Sequence, residues 1–268
     1  MLKDITLGQF FPGDTVAHKL DPRTKILLVV LYIIALFCAN SVITYTLMAL
    51  VLAVCVRISR VGIRALVRGL KPVLFILVFT CVLNLLFTPG EHYLVEWGIL
   101  HISKEGLRNA VFMVLRIMLL IMGTFLMTYT TSPIALTDGL EQLLKGLKRF
   151  HVPVHEVAMM MSIALRFIPT LIEETDKIMS AQKARGADFE SGGLIQKAKA
   201  LIPILVPLFI SAFRRADELA TAMECRCYHG GEGRTRLHVL QYQRRDYLAL
   251  GYGFLITALV IALRQMGI

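Results

Sequence analysis

Hydrophobic residues in this chain gather in long runs separated by short charged clusters, and the clusters set where each element starts and stops. From Ile26 to Val56 no residue is charged, a run of about 31 residues. One bilayer crossing takes about 20 apolar residues, so this run is too long for one span and short for two. The polar break Ala39-Asn40-Ser41 therefore predicts a tight helical hairpin of two short crossings. Arg57 to Lys71 reads as a basic loop carrying Arg57, Arg60, Arg64, Arg68 and Lys71. Pro72 to Gly90 is charge-free and predicts a third span; Glu91 to Arg108 is a mixed loop. Asn109 to Thr131 predicts a fourth span interrupted by Arg116, and Tyr247 to Leu263 a last one. The pattern is that of an all-α, polytopic membrane protein with about five transmembrane helices.

The stretch between the fourth and last spans has a different character. Ser132-Pro133 predicts an N-cap followed by proline in the first turn. Leu136, Leu140, Leu143, Leu144 and Leu147 then recur at helical spacing, with Lys145, Lys148 and Arg149 near the end, where cations suit the helix dipole. A second helix is predicted from Pro153 to Arg185 and a third from about Leu194 to Arg226, each roughly 50 Å long at 1.5 Å per residue. Pro169 lies inside the first of these, Pro203 and Pro207 inside the second, and kinks are expected there. The run Leu201–Ala212 is too short for a normal span and reads as buried or interfacial. Three regions follow: 1–131 as a membrane region of about four helices, 132–245 as cytoplasmic helices, and 246–268 as a C-terminal span.

Composition supports a membrane class and charge sets the orientation. Hydrophobic residues make up 56% of the 268, above the 45–50% or so usual for soluble domains. Net charge is +10. Lys and Arg concentrate in the N-terminus, the Arg57–Lys71 segment and the Pro133–Arg245 region, so the positive-inside rule places the N-terminus in the cytoplasm and the C-terminus outside. Much of the charge then needs no nucleic acid to explain it. Five cysteines, an odd number without regular spacing, argue against a disulfide framework. The early charges Asp4, Asp14, Lys19, Asp21, Arg23 and Lys25 do not read as a cleavable signal peptide.

The two long helices end alike. Asp176, Ala181, Ala184, Arg185 and Gly186 align without gaps on Asp217, Ala222, Cys225, Arg226 and Cys227, at a constant offset of 41 residues. One such end alone is ordinary helix termination, with a cation in the last turn and glycine beyond it. Two matched ends on one chain point to docking on two similar partner subunits.

Several quoted segments carry a family resemblance: His18-Lys19-Leu20-Asp21-Pro22-Arg23-Thr24-Lys25, Arg166-Phe167-Ile168-Pro169, Ala184-Arg185-Gly186, Ala222-Met223-Glu224-Cys225-Arg226-Cys227-Tyr228 and Gly233-Arg234-Thr235-Arg236. Over nearly its whole length the chain resembles the transmembrane T component of energy-coupling factor (ECF) transporters, importers of vitamins and other micronutrients related to ABC transporters. The resemblance implies that two Ala-Arg-Gly-type motifs end long coupling helices that dock into grooves of two ATPase subunits. Ala184, Arg185 and Gly186 match that motif fully. In the second, Arg226 matches while Cys225 and Cys227 stand where alanine and glycine are expected. It further implies a membrane-embedded, substrate-binding S component as partner, held on apolar faces that include Met160, Leu165, Leu205 and Phe209. Lys183 and Glu224, two positions before the arginines, are oppositely charged, which favours two different ATPase chains.

Other chemistry is weakly represented. The sequence has no Gly-x-x-x-x-Gly-Lys-Ser/Thr segment, so ATP hydrolysis is expected on partner subunits and no catalytic residue, cofactor or metal is assigned to this chain. His151 and His155 flank Pro153 at a helix start, and Cys225, Cys227 and His229 lack a second ligand pair, so neither set reads as a metal site. Arg116 within a span should face protein or water, satisfied by a backbone carbonyl or an acidic partner. A membrane enzyme would need ligating or acidic groups at one membrane depth, and a stand-alone permease would need symmetric halves with midplane binding groups. The spans supply neither.

Overall fold

The computed structural model describes residues 10–87, 93–97, 100–187, 189, 193–230 and 239–266. Ten α-helices are present among them. They are α1 (Val16–Lys19), α2 (Pro22–Cys38), α3 (Val42–Ser59), α4 (Ile63–Leu70), α5 (Leu74–Phe87), α6 (Lys104–Thr130), α7 (Pro133–Leu144), α8 (Val154–Ala184), α9 (Leu194–Cys225) and α10 (Arg244–Gln265). One antiparallel hairpin, β1 (Tyr93–Trp97) with β2 (Leu100–Ser103), interrupts an otherwise all-α chain. The chain divides into two compact units, one made of Gly8–Leu140 with Leu240–Ile268, the other holding Glu141–Val239.

In the first unit the charge-free run does split at Ala39-Asn40-Ser41. Ser41 caps α3 through a capping box: its hydroxyl accepts from the Thr44 N–H, and the Thr44 side chain accepts from the Ser41 N–H, so two amides that would lack helical partners are satisfied. α2 packs on α10 and α6, and α3 on α6. Between them lies an apolar core with Leu36, Met48 and Val260 fully buried. Close approach depends on small residues. A Cβ added to Gly123 of α6 would lie 2.4 Å from the Tyr32 ring of α2, and one on Gly253 of α10 would lie 2.5 Å from Leu28. Small residues let apolar helices pack backbone to backbone where no water drives association. The outward faces are apolar too, as Phe75 and Leu255 illustrate, 79% and 63% exposed. Among the described residues, five stretches are long and apolar enough to cross a membrane: Val42–Ser59, Ile63–Leu85, Lys104–Thr130, Val154–Ala184 and Arg244–Gln265.

Two expected loops are structured. The Arg57–Lys71 segment is not a loop: α3 continues to Ser59, and α4 spans Ile63–Leu70. Arg64 and Arg68 lie exposed on one side of this short amphipathic helix while Leu66 and Leu70, four residues apart, are buried, as helical periodicity requires. Part of the 91–108 segment forms the β-hairpin, and Lys104 already belongs to α6, which Ser103 caps through the Gly106 N–H. Arg116 finds the partners that its depth demands. Its Nε donates to the Tyr45 hydroxyl at 2.9 Å and its Nη2 to the carbonyl of Ala39, the C-cap of α2, at 3.0 Å. A cation in an apolar helix thereby satisfies a free helix-end carbonyl.

The motif around Asp21 ties three helix ends together. Asp21 is the N-cap of α2 and accepts from the Arg23 N–H, while its own N–H donates to the Asp246 carboxylate at 2.8 Å. Asp246 also accepts from the Gln243 N–H at the start of α10. Lys25 donates to the carbonyls of His18 and of Thr130, the last residue of α6. Arg23 bonds the Asp21 carboxylate at 2.8 Å and lies 4.0 Å over the Tyr242 ring.

Candidate docking ends of the two long helices

α8 has 31 residues and α9 has 32. Each bends the expected helical rules with internal proline, Pro169 in α8 and Pro203 and Pro207 in α9. Both nevertheless keep a helical backbone throughout, because each missing amide removes a single intrahelical bond while the neighbouring turns persist. They touch along one line. Phe167 lies under the Arg215 guanidinium, 5.8 Å from the ring centroid; Glu174 pairs with Arg215 at 3.4 Å and accepts a hydrogen bond from Ser211. Further on, the Gln182 amide reaches the Pro203 carbonyl at 3.4 Å. As α8 advances from Phe167 to Gln182, its partner in α9 retreats from Arg215 to Pro203, so the helices run antiparallel where they meet.

Antiparallel packing sends the two ends in opposite directions. Arg185 follows Glu174 by eleven residues and Arg226 follows Arg215 by eleven. Each arginine therefore lies about 16 Å along its helix beyond the Glu174–Arg215 contact, and the two lie about 35 Å apart.

Both ends close in the same way. After α8, Arg185 is the C-cap with φ −85°, Gly186 has φ +87°, and the N–H groups of Gly186 and Ala187 donate to the carbonyls of Lys183 and Gln182 at 3.0 Å each. After α9, Arg226 is the C-cap with φ −92°, Cys227 has φ +56°, and the N–H groups of Cys227 and Tyr228 donate to Glu224 and Met223 at 2.8 and 3.0 Å. Each is a Schellman closure, which satisfies the last helical carbonyls by turning one residue into the left-handed region. Cys227 adopts that turn although glycine is not there to ease it.

Ala184, Arg185, Gly186, Cys225, Arg226 and Cys227 are all exposed. Among the described residues no ion pair holds either guanidinium. Each is a planar five-donor cation at the tip of a long helix, a form that matches carboxylates presented by another molecule. Of the predicted apolar contact residues, Met160, Leu205 and Phe209 are 58%, 46% and 61% exposed, while Leu165 is half-buried. The Gly233–Arg236 segment lies outside the described residues. His155 is held by Glu141 at 2.9 Å.

Sequence reasoning missed the Glu174, Ser211 and Arg215 cluster. The signal was present, since Glu174 and Arg215 are themselves 41 residues apart, the offset of the repeated ends.

The comparisons with known proteins bear on the same features. Residues 13–237 match the family model CbiQ, described as a cobalt transport protein. This chain belongs to that family. The energy-coupling factor transporter transmembrane protein EcfT of Clostridium kluyveri is 56% identical over 250 residues, 93% of each chain. That of Ruminiclostridium cellulolyticum is 52% identical over 266 residues, 99% of each chain. That of Bacillus subtilis is 47% identical over 264 residues, 98% of this chain and all of the relative. The CbiQ-family chain described here is thus a multi-pass transporter component of the ECF class, and both arginine-tipped helices fall inside the matched span.

Proposed function

We propose that this chain is the coupling subunit of an ECF-type importer for a vitamin or other micronutrient. Two ATP-binding-cassette ATPases dock on its arginine ends, and a membrane-embedded S component binds the substrate. The observation that carries this reading is the pair of identically closed, exposed Arg185 and Arg226 ends, pointing opposite ways from one antiparallel crossing. A spacing of about 35 Å suits one partner at each end. When the ATPases close on ATP and reopen, both ends are driven as rigid rods, and the exposed faces at Met160, Leu205 and Phe209 change their mutual angle. Flexible, Met-rich apolar surface tolerates such changes while keeping hold of a hydrophobic partner. Hydrolysis belongs to the ATPases, and this chain is non-catalytic.

The chain lies in the cell membrane in this reading, with α2, α3, α5, α6 and α10 crossing it. α8 is apolar enough to span but carries Glu156, Arg166, Glu173, Glu174, Asp176, Lys177 and Lys183, which hydrocarbon would not accept. α2 has no charge after Lys25. The N-terminus and the α8–α9 pair are cytoplasmic and the C-terminus is outside. In a cysteine-free background, a thiol at position 229 should react with an impermeant reagent only from the cytoplasmic side, and one at position 40 only from outside. Labelling of position 229 from outside would overturn the orientation.

The two ATPases are different chains, because Lys183 and Glu224 set opposite charges beside otherwise matching ends. Mass spectrometry of the complex purified from its host tests this, and one ATPase sequence in two copies would refute it.

A further inference from the structure

We propose that Glu174 and Arg215 are positioning residues that mark the internal two-fold axis relating α8 to α9 and set the separation of the two docking ends. The inference deepens the coupling reading above, but its geometric core needs no partner subunit. In an antiparallel pair of repeated helices, a residue meets its own equivalent only where the axis passes. Glu174 and Arg215 are equivalents under the 41-residue offset, and they are in contact at 3.4 Å. The axis therefore passes close to this pair, and each arginine end lies eleven residues beyond it.

The repeat extends well past the helix tips. Thr170 is equivalent to Ser211, Ile163 to Ile204, Ile178 to Leu219 and Ser180 to Thr221. At the axis a strict repeat would set like on like, glutamate against glutamate or arginine against arginine. Here charge is inverted at the axis: Glu173 and Glu174 are answered by Arg214 and Arg215. Inversion turns a self-repelling position into an attractive one, and it does so with both side chains only partly exposed, at 25% and 35%. Ser211 adds a hydrogen bond to the Glu174 carboxylate, and its equivalent Thr170 sits one turn before Glu174 as Ser211 sits one turn before Arg215. The cluster thus acts as a fulcrum with a defined position along both arms. Sliding α8 against α9 by one turn would separate these groups and change the distance between the two tips by about 5 Å.

Symmetry makes an unusual demand: exchanging the two charges should preserve the fulcrum. In Glu174→Arg with Arg215→Glu, the carboxylate moves to the other arm and Thr170 takes over the role of Ser211. The experiment uses the full chain in detergent, with native cysteines replaced, spin labels at positions 183 and 224, and the distance read by double electron–electron resonance. The parent should give one narrow distribution. Glu174→Arg alone should broaden or shift it, and the exchange should restore it. Thr170→Val should leave the parent unchanged yet abolish the restoration. In the assembled transporter the single reversal should lower uptake on the order of tenfold, with the exchange recovering most of it. Circular dichroism separates misfolding from misregistration, since a variant with full helix content and a changed distance has lost register alone. An exchange variant no better than the single reversal, or a single reversal with the parental distribution, overturns the proposal. Failure of ATPases to co-purify with a chain whose distances behave as described would instead refute the coupling reading and leave the fulcrum standing.

Discussion

Cys227 is the clearest case of a residue held against its preference. Its φ of +56° lies where a side chain costs about 1 kcal/mol relative to glycine. Replacing Cys227 by glycine should stabilise the α9 end by about that amount and slow exchange of the Tyr228 N–H, whereas Gly186→Ala should loosen the α8 end by a similar amount. Hydrogen exchange at the two termini measures both, and equal exchange in Cys227→Gly and its parent would contradict the strain. Asp21 makes a pH-dependent contribution. Burial alone would raise its pKa, but bonds from the Arg23 side chain and backbone and the nearby positive charges outweigh this and hold the carboxyl below its ordinary value. A carboxylate with a depressed folded-state pKa stabilises above its unfolded value, and that stability is lost as pH falls through the folded one. Asp21→Asn should therefore melt below the parent at neutral pH, by roughly the 1 kcal/mol of a lost N-cap interaction. The gap should close on acidification below pH about 4. A gap that persists at low pH would assign the loss to packing instead of charge.

At the scale of elements, the two apolar faces of α8 and α9 make a separable prediction. Met160→Glu or Leu205→Glu adds a charge to an exposed apolar surface and leaves both arginines in place, so either should release the S component and leave the ATPases bound. Loss of both partners together in a pull-down would point to misfolding and remove the support for a dedicated face. How far these elements were legible varies with the physics that sets them. The α2–α3 break was readable because a run of uncharged residues must end somewhere polar, and Ser41 with Thr44 writes its own cap. The ends of α8 and α9 came within a residue or two, since their closing arginines are local signals. α4 was read as loop because its arginines dominate the composition, and only the four-residue spacing of Leu66 and Leu70 reveals a buried stripe. The β-hairpin has no strong turn signature in a segment that separates two helices. The antiparallel register of α8 on α9 was not readable from either helix alone. It is a tertiary choice, and its trace in the sequence is the inverted charge at positions 41 apart.

At the scale of the molecule, the first unit is a packed bundle whose helix ends are tied by Asp21, Lys25 and Asp246, and the second presents two equal arms. Those arms have meaning for function only if their tips bear load. The most direct test is the double variant Arg185→Glu with Arg226→Glu, expressed with its host ATPases and S component, with co-purification and substrate uptake read together. Reversing a charge that pairs with an acidic groove typically costs several kcal/mol at each site. The account predicts that the ATPases no longer co-purify, or that they hydrolyse ATP without uptake, while the variant still folds and inserts. A double variant that retains its ATPases and imports substrate at the parental rate would contradict it.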